Sequence, residues 1–269
     1  MEAKVKQLLI ASAALVGAIA AASPASAVTN FVTNGDFGVN AGNGQVGFNT
    51  SATGWSVANP NSPNYGSYVF LYNRNAAPIG PANLSGTTAD ETGSLGQFGT
   101  VKLWGPDDGS VNGLTATPTG AFIASTPTFD NGPISQTVTG LTPGAKYLLS
   151  FNWAAGQQLG YDGTTTEGWK VTLGGGASQS TPIITLPDKG FSGWTTQSFE
   201  FTADGASDQL TFLAIDAPGT ADQQGFALLN GVTLVAASTP EPGAWSLMVI
   251  GVGMLGAALR MRSRALVAA

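Results

Sequence analysis

Asp162 and Glu167, five residues apart and flanked by Tyr161 and Trp169, are the carboxylate pair in this chain that most invites a hydrolytic reading. A glycosidase needs carboxyls about 5 to 9.5 Å apart on a rigid cleft, one of them with a raised pKa. The glycine and threonines between these two predict a mobile loop instead, so catalysis from the pair is not expected. Nucleophilic triads fare worse. The 269 residues contain no histidine to act as base and no cysteine to act as nucleophile. A Ser-Lys arrangement lacks its S-x-x-K signature. Gly174-Gly175-Gly176 matches neither the dinucleotide nor the phosphate-loop pattern and reads as a hairpin turn. The expectation is a non-enzyme.

Aromatic side chains offer the better route to a ligand. Trp104, Tyr161, Trp169 and Trp194 fall at strand ends or in polar loops, where flat rings can stack on sugar faces, and Gln157, Gln158 and Asp162 can add hydrogen bonds. Set against this is ordinary packing, because tryptophan is rarely fully buried even when it serves the core. Without Cys or His, zinc, copper and haem lose their usual ligands. Only oxygen donors remain, and these favour calcium or magnesium. Gly105-Pro106-Asp107-Asp108-Gly109 lacks the spacing of an EF-hand loop and reads as a solvated turn.

The elements that must position these residues are strands. Period-2 alternation runs through the chain after Val28, with Gly, Pro, Asn and Asp in the gaps and no long amphipathic helix. Expected strands cover 28–32, 55–57, 68–72, 101–104, 121–124, 134–138, 145–154, 168–173, 195–202, 209–215 and 226–235. Tyr147, Leu149, Phe151 and Trp153 should face a core, as should Leu210 and Phe212. Leu141-Thr142-Pro143-Gly144 reads as a turn, with proline fixing φ and glycine supplying the left-handed position. The polar stretch 73–99 reads as loop. An all-β sandwich or jelly roll over residues 28–236 follows.

Between residues 28 and 239, five basic side chains face 14 acidic ones. Nucleic acid is therefore excluded as a partner, and so are anionic membrane surfaces. With no cysteine, stability must come from the core.

The ends read differently. Lys4 and Lys6, an apolar run from Leu8 to Ala22, and Ala25-Ser26-Ala27 form a signal peptide over 1–27, with Ala25 and Ala27 set for signal peptidase. At the other end, residues 237–243 form a linker holding Pro240-Glu241-Pro242. An uncharged run from Ala244 to Leu259 follows, then Arg260, Arg262 and Arg264. Residues 244–264 read as a single membrane helix, arginines inside. At 1.5 Å per residue its 16 apolar residues span roughly 24 Å, short of a core of about 30 Å.

Pro240-Glu241-Pro242, the short helix with Trp245 and the terminal arginines resemble a PEP-CTERM sorting signal. The resemblance implies export across the inner membrane of a Gram-negative bacterium and recognition by an exosortase-type transpeptidase that cuts near Pro-Glu-Pro. The membrane would hold the tail before processing, and the product would lie at the cell surface or in the extracellular matrix. The body is similar to galactose-binding-like jelly rolls of carbohydrate-binding modules. The likeness rests on Asn34-Gly35-Asp36-Phe37 with Gly54-Trp55, on Ile134 to Val138 with Gly140 to Gly144 and Tyr147, and on Gly225 to Leu234. In that family the opening turn and last strand lie close, often tied by a structural calcium. Here Asp36, carbonyls around Asn34 and Gly35, and the Asn230 side-chain oxygen would form that site, although such domains commonly carry Asp at the position of Asn230. The other reading is that Asp36 and Asn230 cap a turn by binding backbone N–H groups.

The leading functional expectation is an exported, non-catalytic surface or matrix protein that engages exopolysaccharide through aromatic loop residues. A structural or adhesive protein–protein component comes second, and a polysaccharide-active enzyme last.

Overall fold

The alternation at Tyr147, Leu149, Phe151 and Trp153 builds one of the two longest strands of the molecule, and all four side chains are buried. The computed structural model describes residues 28–42, 44–47, 50–58, 67–72, 101, 103–105, 114, 121–218, 224–237 and 252. Its strands are, in order, β1 (Asn40–Ala41), β2 (Gly44–Gln45), β3 (Ser51–Ala52), β4 (Ser56–Val57), β5 (Val69–Tyr72), β6 (Phe122–Ser125) and β7 (Ile134–Thr139). Then come β8 (Lys146–Gln157), β9 (Thr165–Leu173), β10 (Gln179–Ser180), β11 (Ile184–Leu186), β12 (Thr195–Thr202), β13 (Ser207–Ile215) and β14 (Gly225–Ala236).

These strands make a jelly-roll sandwich of two antiparallel sheets. One sheet has the order β12-β8-β14-β6-β5-β2. The other runs β10-β9-β13-β7-β4, with β11 also paired to β9, and β1 and β3 form a small separate ribbon. Side chains of opposite pleats separate cleanly along β8 and β13, so each sheet gives one face to the interior. Phe212 of β13 lies near its centre. Its ring centroid is 5.1 Å from that of Phe151, edge-on, 6.0 Å from Trp169 and 6.2 Å from Trp55. Each such side chain, fully buried, contributes on the order of 1.5–3 kcal/mol of transfer free energy.

A second apolar cluster covers the other face of the first sheet. Phe70, Tyr72, Phe122, Ala124, Phe226 and Leu228 point away from the interior, and Val101, Leu103 and Leu114 pack over them. Tyr72 and Phe122 stack at 4.8 Å, and the Tyr72 hydroxyl donates to the Val101 carbonyl at 2.8 Å. Strands β5 and β6 are consequently buried on both faces.

The expected turn after β7 is present: Gly144 adopts φ +78° and the Ala145 N–H donates to the Thr142 carbonyl. Two expected strands shrink. From 28–32 only Asn30 bridges Val235, and of the described residues in 101–104 only Leu103 forms a bridge, to Gln158. The signal peptide, the 73–99 loop, the Pro-Glu-Pro linker and, apart from Val252, the membrane helix lie outside the described residues.

Candidate functional site

Where β8 ends and the chain turns toward β9, three separate segments meet at one rim of the sandwich. Trp104 docks against this end: its backbone N–H donates to the Gln157 carbonyl at 2.9 Å, and its indole N–H donates to the Tyr161 carbonyl at 2.8 Å. Gln158 accepts from the Tyr68 hydroxyl at 2.8 Å. The turn Pro187–Gly190 supplies the third segment and brings Lys189, whose ammonium sits 4.6 Å from the Trp104 ring centroid and 3.2 Å from Asp162 Oδ1. Tyr161 is exposed, and so is the Asp162 carboxylate.

Gln157 holds this rim from beneath. Its side chain is wholly buried, donates to the Gly163 carbonyl at 3.1 Å and accepts from the Lys189 backbone N–H at 2.6 Å. Asp188 closes the frame by accepting from the Gly163 N–H at 2.7 Å. Five residues named from sequence, Trp104, Gln157, Gln158, Tyr161 and Asp162, are thus brought together. Lys189, Asp188 and Tyr68 were missed. The Pro187-Asp188-Lys189-Gly190 turn signal was readable, but its proximity to Trp104 is a product of tertiary folding.

One tryptophan needs correction. Trp169 is fully buried in β9, packed on Phe212, with its indole N–H donating to the Leu228 carbonyl at 3.2 Å. It is core, and no sugar face can reach it. Trp194 is half-buried and presents its ring edge-on to Phe122 and Phe191 as part of the outer cluster.

The Asp162 and Glu167 carboxyls occupy opposed environments. Asp162 is solvated and ion-paired, whereas Glu167 is on the inward face of β9 and wholly buried, with no hydrogen-bond partner for either carboxyl oxygen. Its pKa is pushed up to about 8, chiefly by burial, with the Thr165 hydroxyl beside it acting in the opposite sense and the charge of Asp216 adding to the rise. The two carboxyls do not flank a common cleft.

Asn34, Asp36 and Asn230 do converge. The Asn34 side chain is spent on its own turn, donating to the Val39 and Thr53 carbonyls and accepting from the Val39 N–H. Asp36 Oδ1 accepts from the Gly38 N–H at 3.2 Å. Asn230, fully buried, directs its amide nitrogen at the carbonyls of Ala121 and Asp36. The amide nitrogen of Asn230 is thus the donor these two carbonyl oxygens share. Among the described residues no group of three or more His, Cys, Asp or Glu side chains is placed to hold a metal.

Ala25 and Ala27 at the cleavage site, Asp107 and Asp108, and Pro240, Glu241, Pro242, Arg260, Arg262 and Arg264 lie outside the described residues. The C-terminal segment is decided by comparison: the PEP-CTERM protein-sorting motif matches residues 238–263. The chain carries a PEP-CTERM sorting signal. Such signals mark proteins exported and sorted to the cell surface in Gram-negative bacteria, and they imply exosortase-mediated processing.

No curated protein matches the chain. Among solved structures, TmCBM61 in complex with β-1,4-galactotriose aligns over 78% of this chain and 99% of its own at 13% identity, TM-score 0.40. A Stig cyclase, Fisc, from Fischerella sp. TAU aligns over 80% and 100% at 14% identity, TM-score 0.45. The CBM22-1 xylan-binding domain of Paenibacillus barcinonensis Xyn10C aligns over 81% and 100% at 10% identity, TM-score 0.36. At these identities no residue's role carries across.

Proposed function

We propose that this PEP-CTERM protein is a non-catalytic surface or extracellular-matrix component whose β8–β9 rim binds extracellular polysaccharide. The observation that supports it is the convergence of Trp104, Tyr161, Gln158, Asp162 and Lys189 on one rim, held from below by the buried Gln157. Sugar recognition needs flat apolar faces beside paired donors and acceptors. Here an exposed tyrosine, an indole, an ammonium and a carboxylate lie within one frame. Signal peptidase would act after Ala27 and an exosortase near Pro240-Glu241-Pro242, leaving the sandwich outside the cell.

Among the described residues, the exposed large apolar side chains Val28, Val39, Phe129, Leu148, Ile183 and Val252 come from separate parts of the chain, which gives an adhesive role through an apolar surface no support. Single exposed apolar residues need no partner. A hydrolytic role finds no support in Asp162 and Glu167, for the reasons of environment given above. The test is titration calorimetry of the purified full-length protein against the producer's own polysaccharide. Saturable heat that falls at least tenfold in affinity in Tyr161→Ala supports the reading; no heat beyond dilution with the unaltered protein overturns it.

A further inference from the structure

Among the described residues two aromatic side chains are exposed: Tyr161 at the rim, and Phe129 in the loop between β6 and β7. Both stand at the same end of the sandwich. Strand β6 ends at Ser125, which pairs with Ala227 of β14, two residues from the Gly225 that pairs with Gln157.

Tyr68 connects the two. Its ring lies edge-on to Phe129 with centroids 5.2 Å apart, and its hydroxyl donates to Gln158 Oε1 at 2.8 Å. The Tyr161 N–H in turn donates to the Gln158 carbonyl at 3.2 Å, closing the turn that carries the exposed tyrosine. A path through one tyrosine and one glutamine thus joins the two exposed rings and keeps both within reach of one oligosaccharide.

The β6–β7 loop holds Phe129 outward. The Tyr68 N–H donates to the Asp130 carbonyl at 3.0 Å, and the Asn131 amide nitrogen donates to the Pro127 and Ala214 carbonyls at 3.3 and 2.8 Å. Asp130, next to the ring, adopts φ +39°, a left-handed conformation that a non-glycine residue takes at a cost. At Gly132 a Cβ would overlap Ser67 Oγ and the Ala58 carbonyl oxygen, so the loop is pressed onto its neighbours there. A ring fixed in this way has little freedom left to lose when a ligand covers it.

The ring's surroundings are polar. Thr128 on one side is exposed, with its hydroxyl 3.1 Å from that of Thr126, and Asp130 on the other side is half-buried. A single exposed ring between a hydroxyl and a carboxylate offers a sugar a flat apolar face with polar groups beside it. It offers a protein partner no wider apolar patch to seal.

On the basis that the rim binds polysaccharide, we infer that Phe129 is a second sugar-stacking position. One glycan chain runs from Tyr161 past Gln158 to Phe129, so the ligand is an internal stretch of several sugar residues rather than a single terminal sugar.

The test is titration calorimetry of the purified full-length protein against disaccharide and hexasaccharide fractions, both prepared by partial acid hydrolysis of the producer's own polysaccharide. The unaltered protein should bind the hexasaccharide at least tenfold more tightly. Phe129→Leu still covers Tyr68 but presents no flat face; it should weaken the hexasaccharide at least fivefold and leave the disaccharide unchanged. Phe129→Tyr should match the unaltered protein. A hexasaccharide bound no more tightly than the disaccharide, a length advantage kept in full by Phe129→Leu, or an equal loss for both fractions would overturn the second position and leave the rim itself standing. No heat with either fraction or with the intact polymer overturns both.

Discussion

The side-chain amide of Asn230 donates to the Ala121 carbonyl at 2.5 Å and to the Asp36 carbonyl at 3.3 Å, joining the centre of β14 to the opening turn. Removing it leaves the buried Ala121 carbonyl short of this donor, while the Asp36 carbonyl keeps the Ala121 N–H, a cost of about 1–3 kcal/mol. Asn230→Ala should therefore lower Tm by several degrees in thermal unfolding. Asn230→Asp should be worse at neutral pH, because a carboxylate would then face two carbonyl oxygens. Calcium should repair more of the loss in the aspartate variant than in the alanine variant, as read by the same melt with added calcium chloride.

Trp169 distinguishes core from ligand site. Its replacement by alanine should cost about 3–5 kcal/mol, as a large cavity opens against Phe212. Trp169→Phe should keep much of the packing but lose the hydrogen bond to the Leu228 carbonyl. The expected outcome is a lower denaturant midpoint with polysaccharide affinity unchanged in calorimetry.

Lys189 should behave in the opposite way. Its ion pair with the exposed Asp162 and its contact with Trp104 are surface interactions, each worth up to about 1 kcal/mol. Lys189→Ala should leave Tm nearly unchanged while polysaccharide binding weakens, since the variant strips the rim of a donor and uncovers the indole.

Glu167 gives stability a slope in pH. Its native pKa of about 8 exceeds the ordinary value of 4.5, so the native state holds a proton that the unfolded chain has released between those limits. Stability should then fall as pH rises through that window, by about 1.4 kcal/mol per unit at most, and level off above pH 8. Denaturant unfolding from pH 5 to 9 reads this slope. Glu167→Gln should flatten it and be the more stable form at pH 8.

Much of the sandwich was legible because alternation is strong where one face is wet. The β8 residues Tyr147 to Trp153 and the β13 residues Leu210 and Phe212 follow that rule. Strand β9 was harder to read. Thr165 and Glu167 are polar residues on its inward face, so the alternation that buries Trp169, Val171 and Leu173 is masked, and Trp169 reads as the exposed start of a strand over 168–173. Strands β5 and β6 carry apolar residues on both pleats because a second cluster covers their outer side, a fact no local pattern reveals. The two-residue strands β1 to β4 and β10 are too short to show a period. At the rim, Trp104, Gln158, Tyr161 and Asp162 could be named as residue types, but the lysine that joins them arrives from a turn far along the chain.

The register between β8 and β14 sets the rim and the start of the sorting tail at opposite ends of one ladder. Gly225 pairs with Gln157 at the rim, and Ala236 pairs with Tyr147 at the opposite end. At roughly 3.3 Å per residue this ladder is about 35 Å long. The sorting tail continues from the Tyr147 end, where Asn30 also enters beside Val235. The chain thus leaves toward its sorting tail from the end of the sandwich opposite Trp104, Tyr161 and Lys189, about one ladder length from the rim.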